Sequence, residues 1–179
     1  GVFRRMSHLR DIAIIALVLY LVFTAFGPED ESGPEEGKPA PDIQATLMSG
    51  ESFNLSDHTG KVVVLDFWST TCGPCRKSLP ALQTVYENVK GQGDVEILSV
   101  SLDKGNPRMH PEAVVRRYME KNRLNFPVIL DLQNTLAAAY KVESIPTMVI
   151  IDPKGNVTHT AIGLKFSNHG RLVKHIEQL

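Results

Sequence analysis

The chain has 179 residues, 42% hydrophobic and 22% charged, with a net charge of −1. That size and apolar content suit one globular domain with a real core plus an appendage. The near-neutral balance carries no basic footprint of the kind a nucleic-acid binder needs.

The small net charge hides an asymmetry along the chain. Up to Asp11 there are three Arg against one Asp, and from Glu29 to Asp42 six acids against Lys38. The remainder is close to neutral. Arg4, Arg5 and Arg10 precede Ile12 to Phe26, an uncharged run of mostly apolar residues. As a helix of 15 residues it would be about 22 Å long, against about 30 Å for a bilayer core. Thinning of the bilayer and flanking residues can close some of that gap. The alternative is a cleaved secretory signal, whose apolar region has about this length, with Ala25-Phe26-Gly27 as its small-residue site. Both readings export the C-terminal part of the chain. The anchor is the one taken, with the basic flank left in the cytoplasm. Residues 1–26 are therefore expected to be a membrane anchor or signal. Gly27 to Pro41, acidic and rich in Pro and Gly, should be a solvated tether. Residues 42–179 are the folded domain.

Within that domain, Ile43 to Leu47 and Ser52 to Leu55 read as a hairpin around Ser49-Gly50. Val62 to Phe67 is an apolar, β-branched run, a buried strand. Arg76 to Val89 carries a helical stripe of Leu79, Leu82, Val85, Tyr86 and Val89. Val95 to Leu102 is a second core strand. Pro111 to Asn122 is a helix, with Pro111 suited to its first turn. Phe126 to Leu130 is extended, and Asn134 to Tyr140 is a short helix. Thr147 to Ile151 and Val157 to Ile162 are strands joined by the turn Asp152-Pro153-Lys154-Gly155. Ser167 can cap a last helix through Ile176. This order gives an α/β fold, a central mixed β-sheet flanked by helices, with an N-terminal β-hairpin and a helical insertion.

Both cysteines, Cys72 and Cys75, stand where the core strand turns into a helix. A helix N-terminus offers free N–H groups and partial positive charge, so a thiolate there is stabilised. Cys72 would be the more exposed, and Cys75, one turn in, could attack a sulfur bonded to it. C-x-x-C has other readings. Zinc needs four ligands, but the chain has no second Cys pair and its six His form no H-x3-5-H pair. An inert structural disulfide stays open. A redox disulfide, Cys72–Cys75, working by thiol exchange with no metal and no cofactor, is the reading taken.

Asp66-Phe67-Trp68, Cys72-Gly73-Pro74-Cys75 and Pro80 together resemble thioredoxin. Ser144-Ile145-Pro146-Thr147, ahead of an apolar strand, resembles the thioredoxin loop whose cis-proline faces the cysteines. Pro41-Asp42-Ile43 and the insertion ending Phe126-Pro127-Val128-Ile129-Leu130-Asp131 resemble the TlpA/ResA family of membrane-anchored extracytoplasmic proteins. The match runs from about Lys38 to Leu179. The resemblance implies a thioredoxin fold and a thiol–disulfide oxidoreductase with Cys72 and Cys75 catalytic and Asp66 a proton acceptor for Cys75. On its own, Asp66 reads either as a strand-end residue facing solvent or as a buried carboxyl with a raised pKa. Trp68, Gly73, Pro74, Ile145 and Pro146 would form the substrate-binding surround, Trp68 mainly by packing beside the site. The family further implies reduction of exported protein disulfides, including apocytochrome c, with electrons from a membrane thiol donor. It would be a single-pass protein of a bacterial cytoplasmic membrane, its domain facing the periplasm or cell exterior as a monomer.

Three departures stand out. Ser99 holds the position of a thioredoxin Lys, Ser78 that of a family Glu, and Thr71 that of an aromatic before the first Cys. Two rivals share the fold. A copper chaperone resembles C-x3-C plus a remote His, whereas the spacing here is C-x2-C. A peroxiredoxin-like peroxidase places its Cys in P-x3-[ST]-x2-C, and here Ser69 is present without the Pro.

Overall fold

The computed structural model describes residues 14–18, 20–21, 33–164, 169–176 and 178. The chain divides into two units, Gly1–Glu31 and Ser32–Leu179. In the first, residues 14–18 and 20–21 are helical and exposed. No helix among the described residues is long and apolar enough to cross a membrane. The rest of the 12–26 run, the Ala25-Phe26-Gly27 site and the Ser167 cap lie outside the described residues.

In the second unit, β1 (Gln44–Thr46) and β2 (Ser52–Asn54) form the expected hairpin, followed by a 3-10 turn, Leu55–His58. The main sheet contains β3 (Val62–Trp68), β4 (Val95–Ser101), β5 (Val128–Leu130), β6 (Thr147–Ile151) and β7 (Val157–Ile162). Its order is β5-β4-β3-β6-β7, with β3, β4 and β5 parallel and β6 and β7 antiparallel. The helices are α1 (Gly73–Val89), α2 (Pro111–Asn122), α3 (Thr135–Ala139) and α4 (His169–Ile176).

Every residue of β3 is buried because the sheet is covered on both faces. Side chains alternate across a strand. Val62, Val64 and Trp68 therefore pack with Leu79, Leu82 and Val85 of α1 and Val115 and Met119 of α2. Val63, Leu65 and Phe67 pack on the other face with Phe53, Ala137 and Tyr140. By the same alternation Asp66 belongs to the α1 face.

Both sheet edges are covered. The hairpin end reaches β5, where Met48 N–H donates to the Val128 carbonyl at 2.8 Å. On the other edge, residues 33–40 run antiparallel to β7. Gly37 N–H donates to Val157 O at 2.7 Å, Val157 N–H to Lys38 O at 2.8 Å and Ala40 N–H to Gly155 O at 2.9 Å. The Glu36 carboxylate accepts from Thr160 N–H. The C-terminal half of the acidic stretch is thus a strap on the sheet rather than solvated chain. Its composition could not reveal this, because the contacts are main-chain bonds to an otherwise open edge.

Candidate active site

The chain leaves β3 at Trp68 and turns through Ser69, Thr70 and Thr71 into α1. Cys72 is the N-cap of that helix, and its Sγ accepts from the Cys75 N–H at 3.1 Å. Pro74 stands in the first turn, where its missing N–H would have found no helical partner. The two sulfurs form a disulfide with S–S of 2.08 Å. Cys72 is half-buried at the surface, whereas Cys75 is 0% exposed and packed in the core. Gly73 and Pro74 between them are exposed.

The turn is pinned from two sides. Asp103, just past the end of β4, is buried and accepts from Thr70 N–H at 2.9 Å, from Thr70 Oγ1, and from Ser101 Oγ at 2.8 Å. From the helix side, Arg76 Nε donates to the Thr70 carbonyl at 3.1 Å. Sequence reading missed this clamp. The signal available was a polar Ser-x-Asp at the carboxyl end of a strand parallel to β3, since parallel neighbours bring those ends together.

Ile145 and Pro146 meet the pair from the loop before β6. Their peptide bond is cis, as the resemblance implies. The Cys72 Sγ lies 3.6 Å from the Ile145 carbonyl oxygen, within reach of an S–H donor once the disulfide opens. Ile145 is half-buried and Pro146 buried, and the Pro146 carbonyl accepts from Gly163 N–H. Cys72, Cys75, Ile145 and Pro146 are therefore one cluster.

Trp68 is wholly buried, tilted against Tyr118 at 5.6 Å and edge-on to Phe126 at 6.4 Å. It packs beneath the site, whereas Gly73 and Pro74 are exposed and Ile145 is half-buried. Its Nε1 has no hydrogen-bond partner.

Asp66 is 2% exposed, and its Oδ2 lacks a partner. Burial raises its pKa from 3.8 to about 8, because a charge in a dry interior loses its hydration. No neighbouring charge offsets this. In register Asp66 faces Ser99 on β4 and Met148 on β6. Ser99 Oγ donates to the Pro127 carbonyl at 3.1 Å, and Ser78 Oγ to the Cys75 carbonyl at 3.1 Å. The two serine departures thus supply no cation or second carboxyl. Asp66 thus lies buried on the face of the sheet that carries α1 and Cys75.

Residues 37–160 match the model of the AhpC/TSA family. The thiol–disulfide oxidoreductase ResA of Geobacillus kaustophilus is 33% identical over 168 residues, covering 94% of this chain and 91% of that one. ResA of Bacillus subtilis is 34% identical over 162 residues, covering 89% and 87%. The crystal structure of StoA from Bacillus subtilis superposes with a TM-score of 0.63 at 26% identity, covering 76% of this chain and 96% of that one.

Proposed function

The chain belongs to the AhpC/TSA family and is a ResA-like thiol–disulfide oxidoreductase of thioredoxin fold, and on that premise we propose that it reduces disulfides of exported proteins, apocytochrome c among them. The observation that carries this is the asymmetry of the pair: Cys72 sits at the surface on a helix N-terminus, and Cys75 is sealed behind it.

In the reduced protein the Cys72 thiolate is held by the Cys75 N–H and the α1 terminus. It attacks one sulfur of a substrate disulfide, and the other substrate sulfur leaves as a thiolate and takes a proton from water. Cys75 then attacks Cys72 Sγ, frees the second substrate sulfur and closes the protein disulfide. Two electrons pass to the substrate. Asp66 takes the Cys75 proton as that sulfur becomes a nucleophile, and returns it when a donor reopens the disulfide. A neutral carboxyl in the oxidised state suits the second task. Gly73, Pro74 and the Ile145–Pro146 backbone receive the substrate as an added strand.

Residues 1–26 hold the protein in a bacterial cytoplasmic membrane as a single span. The acidic residues that follow link that span to the folded domain, which includes the strap from residue 33 onward and faces the periplasm or cell exterior. Electrons come from a membrane thiol donor, and the protein acts as a monomer. The supports for the anchor and its orientation are the basic flank, the apolar run and the acidic stretch.

Cys75→Ser should accumulate a mixed disulfide with exported cysteine proteins in cells, released by reductant, while Cys72→Ser should capture none. Equal capture by both variants would contradict the assignment of Cys72 as attacking sulfur. Peroxide offered to the reduced protein separates the peroxidase alternative, which requires consumption at a rate matching disulfide turnover.

A further inference from the structure

A groove of about 330 Å³ runs beside the redox turn. Ser69, Thr70 and Thr71 of the turn line it together with Leu102, Asp103, Lys104 and Asn106 of the segment after β4, the Asp103 carboxylate being held by Thr70 and Ser101. Thr71 immediately precedes Cys72, so a chain bonded to the Cys72 sulfur would place its neighbouring residues, spaced about 3.5 Å apart, within reach of this groove.

The surroundings are basic in a chain that is near neutral overall. The two segments flanking the groove, residues 69–77 and 102–110, carry Arg76, Lys77, Lys104 and Arg108, all exposed. Their one acid is Asp103, buried and bonded to Thr70 and Ser101. Among the described residues no salt bridge involves any of these four cations. Lys104 is the most constrained. Its Nζ donates to the carbonyls of Asp131 at 3.1 Å and Leu132 at 2.6 Å, and to Asn134 Oδ1 at 2.6 Å. All three acceptors are neutral and together they take all three N–H groups, so the ammonium is fixed in place and acts on a bound chain through its field. A held cation without an ion-pair partner at a groove wall attracts a carboxylate without the entropic cost of ordering its own side chain.

We propose that this groove and its basic rim select disulfides flanked by acidic residues, with Lys104 the specificity-determining residue. This deepens the exchange reading above and rests on it.

The test uses the full-length protein, reduced and in detergent, in single turnover with three peptide disulfides. They differ only in the residues on either side of the attacked cysteine, which are Glu, Gln or Lys. The parent should react with the Glu peptide about fivefold or more faster than with the Lys peptide at low salt, the scale of an exposed charge pair. The preference should fade toward one above about 0.5 M salt, where the screening length is a few ångströms. Lys104→Glu should reverse the order, and Lys104→Gln should shrink it. Rates are referred to each variant's own Gln-peptide rate, so any disturbance of the loop that Lys104 ties down cancels. Should Lys104→Glu not fold, Lys104→Gln and Arg108→Glu must each lower the Glu-to-Lys ratio. A parent ratio of one, or a ratio unchanged across these variants, overturns the proposal. Failure of the Gln peptide to react at all would instead overturn the exchange reading beneath it.

Discussion

At the residue scale the most informative group is Asp66. Its folded pKa, about 8, lies above the 3.8 expected of an exposed carboxyl. The folded state therefore binds the proton more tightly than the unfolded chain. Stability should fall as pH rises from about 4 through 8, and flatten beyond. Asp66→Asn removes that loss. In urea denaturation of the oxidised protein the variant should match the parent near pH 4 and exceed it by about 2–5 kcal/mol at pH 9. An equal gain at every pH would mean that the carboxyl does not titrate as its burial demands. The same variant should slow closure of the Cys72–Cys75 disulfide and remove the pH dependence of that step near 8. Asp103 acts by structure rather than by proton transfer. Asp103→Ala strips the partners from a buried N–H and two hydroxyls, and should cost about 2–4 kcal/mol of stability by denaturant melting. A loss below about 0.5 kcal/mol would show that the turn before Cys72 does not depend on it.

At the element scale, the strands and the redox helix were legible because their burial pattern is written in side chains. All seven residues of β3 face a core, and an apolar β-branched run has few other readings. Cys72 and Cys75 were legible because spacing and position carry their chemistry. What escaped the sequence was held by contacts between distant positions or by backbone alone. The Thr70–Asp103 clamp joins residues 33 apart, and no local pattern encodes it. Residues 33–40 read as solvated because Glu, Pro and Gly dominate, yet their main chain closes the β7 edge. Gly33 shows how tightly that strap sits. Its φ is +91°, and an added Cβ would stand 2.5 Å from Thr160 Cγ2. Gly33→Val should therefore destabilise by about 1–3 kcal/mol. Removing residues up to Ala40 should expose the Val157 and Thr160 amides to fast hydrogen exchange. Protection unchanged by that truncation would show that β7 needs no cover.

At the scale of the whole molecule, the chain divides into Gly1–Glu31, whose sequence has a basic flank and an apolar run, and Ser32–Leu179, which carries the redox pair. Full-length protein should stay in the membrane pellet after high-salt washing. A shortened soluble form outside the cell would identify residues 1–26 as a cleaved signal. Direction of electron flow is a property of the whole domain, set by how far it favours the disulfide over the dithiol. Strong oxidants stabilise their dithiol form through a very acidic thiolate, with a pKa near 3.5. Gly73 and Pro74 add no cation between the cysteines to stabilise a thiolate. The proposed reductive role requires that the disulfide form be favoured. The decisive measurement is the reduction potential, taken by equilibrating the full-length protein with glutathione redox buffers and counting free thiols at Cys72 and Cys75. A midpoint near −270 mV is expected of a reductant. A midpoint above about −180 mV would make the protein a donor or shuffler of disulfides and contradict the reductive role.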